Sequence, residues 1–412
     1  MVKRVLMIAS YFPPMHVSSG QQRTLKFSTY LREHQWQPTV LSVNPRAYMR
    51  VNNSQIREIP DDVKVIRAFC LDTAKHLSLF GKYPGFLAWP DRWISWWLGA
   101  IPAALWHIRK YRPDVIWTTY PIATANLIGL TLHKITGIPW VADLRDSMTE
   151  DDYPPDPQVR KIYRWIEKKL VQNAVRVIFT ADGTLEMYKQ RYPEIDPNKW
   201  HTISNGFDED NFREATTTIP RKPNKQLTLV HSGLLYPSER DPIPFFNAIS
   251  DLKKENDKLL GVKVILRASG NEDFYQQIIR EMGIDDIISL EPPLAYNEAL
   301  AEMLNADGLM VFQAKNCNHQ IPAKVYEYIR ARKHILALTD KSGDTAHVLE
   351  KSGLGRIADI ADRDNIRKNM LEFVDEIKSM TYEIASDEVI NSFSRRAQTK
   401  KLAVLLDSVA KV

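Results

Sequence analysis

Short apolar runs recur along the chain, separated by longer stretches in which apolar residues return with helical spacing. Val5–Ser10, Pro38–Val43, Val63–Phe69, Asp114–Tyr120, Trp140–Leu144 and Arg176–Ala181 read as strands of a first half. Leu227–Gly233, Val262–Ser269, Ile287–Glu291, Gly308–Gln313 and His334–Thr339 read as strands of a second, whose last strand ends near Asp359. These runs are continuously apolar, not alternating, which is the signature of parallel strands buried on both faces. Strands interleaved with helices predict an α/β chain of two doubly wound, Rossmann-like domains.

The turn Asn205-Gly206-Phe207 ends the first half. Asp208–Gln226 has little apolar periodicity, and Thr216–Lys225 carries three threonines in a row, two prolines and three basic residues. The expected organisation is therefore a first domain at 1–205, a linker at 206–226, a second domain at 227–390, and a final amphipathic helix at 391–412 packing back on the body. No repeat or low-complexity segment interrupts this pattern.

At 412 residues the chain is too long for one ordinary core. Its 44% hydrophobic and 25% charged residues are those of a globular protein. A net charge of +5, dispersed among acids, argues against nucleic acid and suits an anionic small molecule or an anionic membrane surface. Two unspaced cysteines, Cys70 and Cys317, fit a reducing compartment. No run reaches the roughly 18 apolar residues of a spanning helix, and the apolar run in Met1–Ser10 is too short for a leader, so a cytoplasmic protein is expected. Phe80–Tyr111 qualifies that reading. It holds five tryptophans, Trp93–Trp106 carries no formal charge, and Arg92, Arg109, Lys110 and Arg112 flank it. Trp93, Trp97, Ile101, Leu105 and Ile108 share one helical face, so the segment reads either as a core helix or as a peripheral contact with the inner face of the plasma membrane.

In open α/β sheets ligands bind beyond the carboxyl ends of the strands. The loop after the first strand carries His16, Ser18, Ser19 and Gly20 ahead of a helix, where small residues let a phosphate approach the backbone. Asp143 and Asp146 end another strand of the first half as candidates to orient an acceptor hydroxyl; helix capping or pairing with Arg145 are the plainer readings. In the second half, Gly233 and Arg240 follow one strand and Ser269-Gly270 the next, and the stretch Ile321–Thr339 contains Lys324 and Glu327 one helical turn apart. A cation and a carboxylate at a helix start fit a nucleotide, phosphate on one and ribose on the other; an ordinary surface ion pair fits them equally. The acidic clusters Glu150–Asp152 and Asp208–Asp210 read as solvated charge, and no metal is expected.

Taken in order, these residues resemble the GT-B glycosyltransferases of family 4. The loop Tyr11–Pro14 with Ser18–Gly20 resembles the family's N-terminal glycine loop, and Asn205–Asp208 its inter-domain turn. Gly233 followed by Arg240 is similar to its phosphate-binding element, and Ala306-Asp307 to its alanine-aspartate step. Pro322, Lys324, Glu327, Tyr328 and His334–Ala337 resemble its PxKxxEY…PVLA signature. The resemblance covers nearly the whole chain. It implies two domains facing a central cleft, a C-terminal helix crossing back to the first domain, and no cofactor beyond a nucleotide diphosphate sugar as co-substrate. It further implies that Glu327 holds the ribose, that Arg240 and Lys324 bind the diphosphate, and that Gly20 lies close to it. The family's further glutamate, eight positions before the ribose-binding one, is His319 in this chain.

The expected reaction is metal-independent transfer of a sugar, with retention, to a glycan or polyprenyl-linked acceptor in cell-surface polysaccharide synthesis. Arg240 and Lys324 would stabilise the leaving diphosphate, while Asp143, Asp146 and His16 orient the acceptor. His319 keeps a non-catalytic GT-B scaffold subunit as the alternative; a nucleotide-sugar epimerase is a third reading.

Overall fold

The computed structural model describes residues 2–15, 19–218, 226–255 and 259–410. It divides into two compact units, Met1–Asn205 with Arg395–Val412, and Gly206–Ser394. The first contains β1 (Lys3–Ile8), β2 (Trp36–Val43), β3 (Lys64–Ala68), β4 (Val115–Thr119), β5 (Trp140–Leu144), β6 (Arg176–Phe179) and β7 (Trp200–Thr202). These form one sheet in the order β3-β2-β1-β4-β5-β6-β7. Every pairing is parallel, with Val5 opposite Val115 and Ile116 opposite Trp140. The strand order reverses direction between β1 and β4, the switch point at which such sheets leave a crevice.

The second unit contains β8 (Leu227–Ser232), β9 (Val262–Arg267), β10 (Ile288–Glu291), β11 (Gly308–Phe312), β12 (His334–Leu338) and β13 (Gly355–Ala358). Their order is β10-β9-β8-β11-β12-β13, again all parallel, and the switch point lies between β8 and β11. Each sheet is covered on both faces. In the second unit Leu229, Leu266 and Phe312 pack with one helical layer, and Val230, Leu309 and Val311 with the other. The continuous apolar runs are required by this two-sided burial.

Two boundaries differ from the sequence expectation. The segment read as a linker contains a helix, Glu209–Thr218, whose Phe212 and Ala215 are buried beside Leu300, Ala301 and Met303. Its apolar stripe is only two residues wide and is followed by threonines, so its amphipathicity is hidden; residues 219–225 lie outside the described residues. The chain also returns to the first unit at Arg395, not 391, because Ile390 and Phe393 belong to the second core and Phe393 accepts from the Phe207 N–H. The last helix, Arg395–Asp407, buries Leu402 and Leu406 against Val5, Leu25, Phe27 and Val40 in the first unit.

The tryptophan segment has a core face and an exposed face. The helix Ser95–Tyr111 turns Trp97, Ile101, Leu105 and Ile108 toward the core, Trp93 of the preceding turn packs with them, and Trp96 is completely buried. What faces outward is Leu98 and Trp106, together with Leu79, Phe80, Phe86 and Trp89 of the preceding loops; Phe80 is 95% exposed. No helix among the described residues is long and apolar enough to cross a membrane.

Candidate functional site

A buried cation without a hydrogen-bond partner lies at the carboxyl end of the second sheet. Past β8 the backbone turns at Gly233 with φ +130°, a region that only glycine occupies without strain. A Cβ there would stand 2.5 Å from the Lys324 ammonium, so the missing side chain leaves room for that cation. Lys324 is the first residue of the helix Lys324–Ala331. Its Nζ is buried and makes no hydrogen bond. Burial, reinforced by the nearby Arg240, lowers its pKa to about 7, while Glu327 acts in the opposite direction. A buried ammonium without a partner is costly and is the kind of group that an anion would stabilise.

Arg240 reaches this place through a turn closed by its own N–H donating to the Tyr236 carbonyl at 2.9 Å, and its guanidinium lies over the Tyr236 ring. The Tyr236 hydroxyl donates to Glu239 at 2.7 Å, and the Glu239 carbonyl accepts from Ala314 N–H, which pins the turn to the loop after β11. Glu327, one turn along the helix from Lys324, accepts from the Tyr296 hydroxyl at 2.7 Å. Tyr328 accepts from the Ser232 N–H at 3.0 Å and so locks the helix to the end of β8. Beneath Gly233, His231 sits between the carbonyls of Met310 and Gly233 at 2.9 and 3.1 Å. Burial, then Lys324, holds its pKa well below the usual histidine value. Gly270 has φ +67° and approaches Leu234, and the neighbouring Ser269 carbonyl accepts from Leu235 N–H. The Ser269 hydroxyl is buried without a hydrogen-bond partner. His319 is half-buried in the segment that leads from β11 to this helix.

The second unit therefore brings together Gly233, Arg240 and Lys324, with Glu327 on the same helix and Ser269-Gly270 on the adjoining loop. Tyr296, Tyr328 and His231 complete the surroundings; Tyr328 has its place in the PxKxxEY pattern, whereas Tyr296 and His231 carry no motif in the sequence.

The candidates of the first unit behave differently. Asp143 is fully buried, and both its oxygens accept from Arg23, at 2.9 and 3.3 Å. Arg23 also donates to the carbonyls of Ile203 and Ser204. The Asp143 carboxylate, through Arg23, ties β5 to the first helix and the end of the unit. Its pKa is raised by burial, with Arg23 pulling the other way. Asp146 is exposed beside Arg145 and caps no helix; the next one begins at Pro157 under Asp156. Gly20 lies directly against Arg145, whose guanidinium any side chain there would strike. Ser19 opens the first helix, Ser19–Tyr30, and His16 and Ser18 lie outside the described residues. Among the described residues no group of three or more His, Cys, Asp or Glu side chains could hold a metal ion.

Two parallel sheets with helices on both faces, and cationic side chains beyond the switch point of the second, make up the fold in which the comparisons place the chain. Solved structures share this fold over the full chain. A glycosyltransferase from Rickettsia africae is 13% identical with a TM-score of 0.66, covering 99% of each chain. HepE from Anabaena, in complex with UDP and glucose, is 13% identical with a TM-score of 0.67, covering 98% of this chain and all of its own. WaaG, a glycosyltransferase involved in lipopolysaccharide biosynthesis, is 10% identical with a TM-score of 0.58, covering 98% and 95%. At these identities the likeness establishes the fold. No curated protein matches the chain significantly. Residues 20–206 match the glycosyl transferase 4-like domain family. The chain accordingly has the GT-B fold, and its first unit carries the match to that glycosyltransferase domain family.

Proposed function

We propose that the chain transfers a sugar from a nucleotide diphosphate sugar to a hydroxyl acceptor. The observation that carries this reading is the buried, unpartnered Lys324 ammonium standing over Gly233 with Arg240 beside it. A leaving diphosphate gains charge as the glycosidic bond breaks, and two fixed cations at a helix start stabilise it most in the transition state. Glu327, already held by Tyr296, would accept from ribose hydroxyls. The complex of HepE with UDP and glucose is in keeping with a UDP-sugar donor. With two cations at the leaving group the reaction needs no metal, and chelator-treated enzyme should keep its rate. Retention follows from the family resemblance, and a proton resonance time course of the first product anomer tests it.

We further infer a glycan or lipid-linked acceptor and a role in cell-surface polysaccharide synthesis at the cytoplasmic face of the membrane, in keeping with the role given for WaaG. The exposed residues Leu79, Phe80, Phe86, Trp89, Leu98 and Trp106 are suited to membrane contact, and Lys64 and Lys110 flank the Trp106 ring at 5.6 and 5.5 Å. Replacing Phe80 and Phe86 by Ser should abolish flotation with anionic vesicles without lowering thermal stability; undiminished flotation would reject the contact. Calorimetric titration with UDP, GDP and ADP tests the donor assignment. One of the three should bind the native protein and lose most of its affinity in Glu327→Ala, whereas binding by none would sink the reading. The scaffold alternative rests on His319 at the family's glutamate position, and predicts nucleotide binding without turnover of any nucleotide sugar.

A further inference from the structure

The hydrogen bond between Tyr296 and Glu327 joins two different helices. Tyr296 is the first residue of the helix Tyr296–Asn305, and Glu327 lies in the first turn of the helix Lys324–Ala331. The Ala295 N–H donates to Glu298 Oε2 at 3.1 Å and fixes the start of the first of these helices, so the Tyr296 ring leaves it in a set direction. Its hydroxyl reaches Glu327 Oε1 at 2.7 Å. A carboxylate offers about four lone-pair sites, so one such donor orients the group and leaves capacity for others. The bond requires the two helices to keep their spacing, because hydrogen bonds weaken steeply with misalignment.

Both helices are held by a third, the helix Glu209–Thr218, which follows the point where the chain enters the second unit at Gly206. Glu209 accepts from both Nε and Nη2 of Arg330, a forked pair with the helix that carries Lys324 and Glu327. Arg330 also lies over the Phe212 ring at 5.1 Å. Glu214 accepts from Nδ2 of Asn297, the neighbour of Tyr296, at 3.1 Å. Between these contacts Phe212 and Ala215 are buried beside Leu300, Ala301 and Met303 of the helix Tyr296–Asn305. The start of the third helix is fixed in turn. Asp208 accepts from the Asn211 N–H at 3.3 Å, Phe207 stands edge-on to Phe212 at 6.1 Å, and the Phe207 N–H donates to the Phe393 carbonyl at 3.3 Å. A lone exposed ion pair contributes little, but a forked pair set over an aromatic ring and beside a buried seam has one geometry. The helix Glu209–Thr218 thus bears on both ends of the Tyr296–Glu327 bond.

We propose that the helix Glu209–Thr218 is the positioning element of the nucleotide site, and that Arg330 and Tyr296 are positioning residues which set Glu327 for the ribose hydroxyls; this deepens the donor reading and rests on it for the ribose. The probes are UDP, GDP and ADP, each with its 2′,3′-dideoxy form, titrated by calorimetry into the full chain. The parent protein should bind one of the three at least about tenfold more tightly than its dideoxy form, the margin of one hydrogen bond to a charged group. Tyr296→Phe removes the hydroxyl, and Arg330→Gln removes the forked pair at a position away from the ligand. Each should bring that preference down to about twofold, while affinity for the dideoxy form stays within about twofold of the parent's. Binding of the dideoxy form also shows that the variant is folded. A role in stability alone would weaken both ligands alike, since neither variant would then act through the ribose. Full preference retained in either variant, or equal loss of both ligands, would overturn the proposal and leave the donor reading standing. Binding of none of the three nucleotides by the parent would reject the donor reading itself, and equal binding of a nucleotide and its dideoxy form would reject the ribose role of Glu327; the proposal falls with either.

Discussion

At the scale of single residues the most consequential feature is one buried charge without a hydrogen-bond partner. The Lys324 ammonium is buried with a pKa of about 7, against an ordinary lysine value near 10.4. Between those values the unfolded chain holds a proton that the folded chain releases, so stability rises with pH across that window and the penalty is complete below it. Lys324→Met should therefore raise the melting temperature of the ligand-free protein at pH 7 while weakening nucleotide binding by about tenfold or more. In the parent protein a bound diphosphate restores the charged form, so affinity for UDP should fall as pH rises above 7. The variant should lose that slope; an identical slope would show that another group titrates. Arg23 is the contrary case, a buried cation whose three nitrogens all find acceptors. Arg23→Ala strands Asp143 and should cost about 3–5 kcal/mol in denaturant unfolding, most of it recovered when Asp143 is also made apolar. A sequence lists Asp143 and Lys324 alike as charged residues near strand ends. Only their partners distinguish the structural carboxylate from the unsatisfied ammonium.

At the scale of elements, close approach of helix to strand does much of the positioning. The helix Ala123–Thr136 passes over β4 and β5 so closely that a Cβ on Gly129 would lie 2.7 Å from the Trp140 indole nitrogen. Gly129→Ala should cost about 1–3 kcal/mol through overpacking despite the gain in helix propensity, measurable as a lowered denaturant midpoint. The strands were legible because two-sided burial forces uninterrupted apolar runs. The three-residue β7, Trp-His-Thr at the edge of its sheet, was not, since an edge strand that short needs no such run. The stripe Trp93, Trp97, Ile101, Leu105 and Ile108 was correctly grouped on one face, yet periodicity does not say whether that face meets a core or a lipid. Packing answered that it meets the core.

At the scale of the whole molecule, the chain leaves the first unit at Asn205 and returns at Arg395, so the stability of that unit depends on residues at both ends of the sequence. Truncation after Ser394 removes the cover over Val5, Leu25 and Val40 and forfeits the burial of Leu402 and Leu406, about 1.5–3 kcal/mol each. The truncated protein should show a lowered first transition in calorimetry. UDP at a hundred times its Kd should still stabilise the second unit by about 2.7 kcal/mol. A UDP effect lost on truncation would mean that the donor site is not confined to the second unit.

The sequence by itself determined the two doubly wound sheets, the division at Asn205 and the set Gly233, Arg240, Lys324 and Glu327, because local patterning and chain order dictate which residues fall at which strand ends. Only the tertiary structure decided that Asp143 is bound by Arg23, that Lys324 has no partner, that the tryptophan stripe is core, and that Tyr296 and Glu327 meet across two helices. Those are pairings between residues far apart in the chain, and whether a charge or an aromatic ring is satisfied depends on what folds against it, which no spacing along the sequence records.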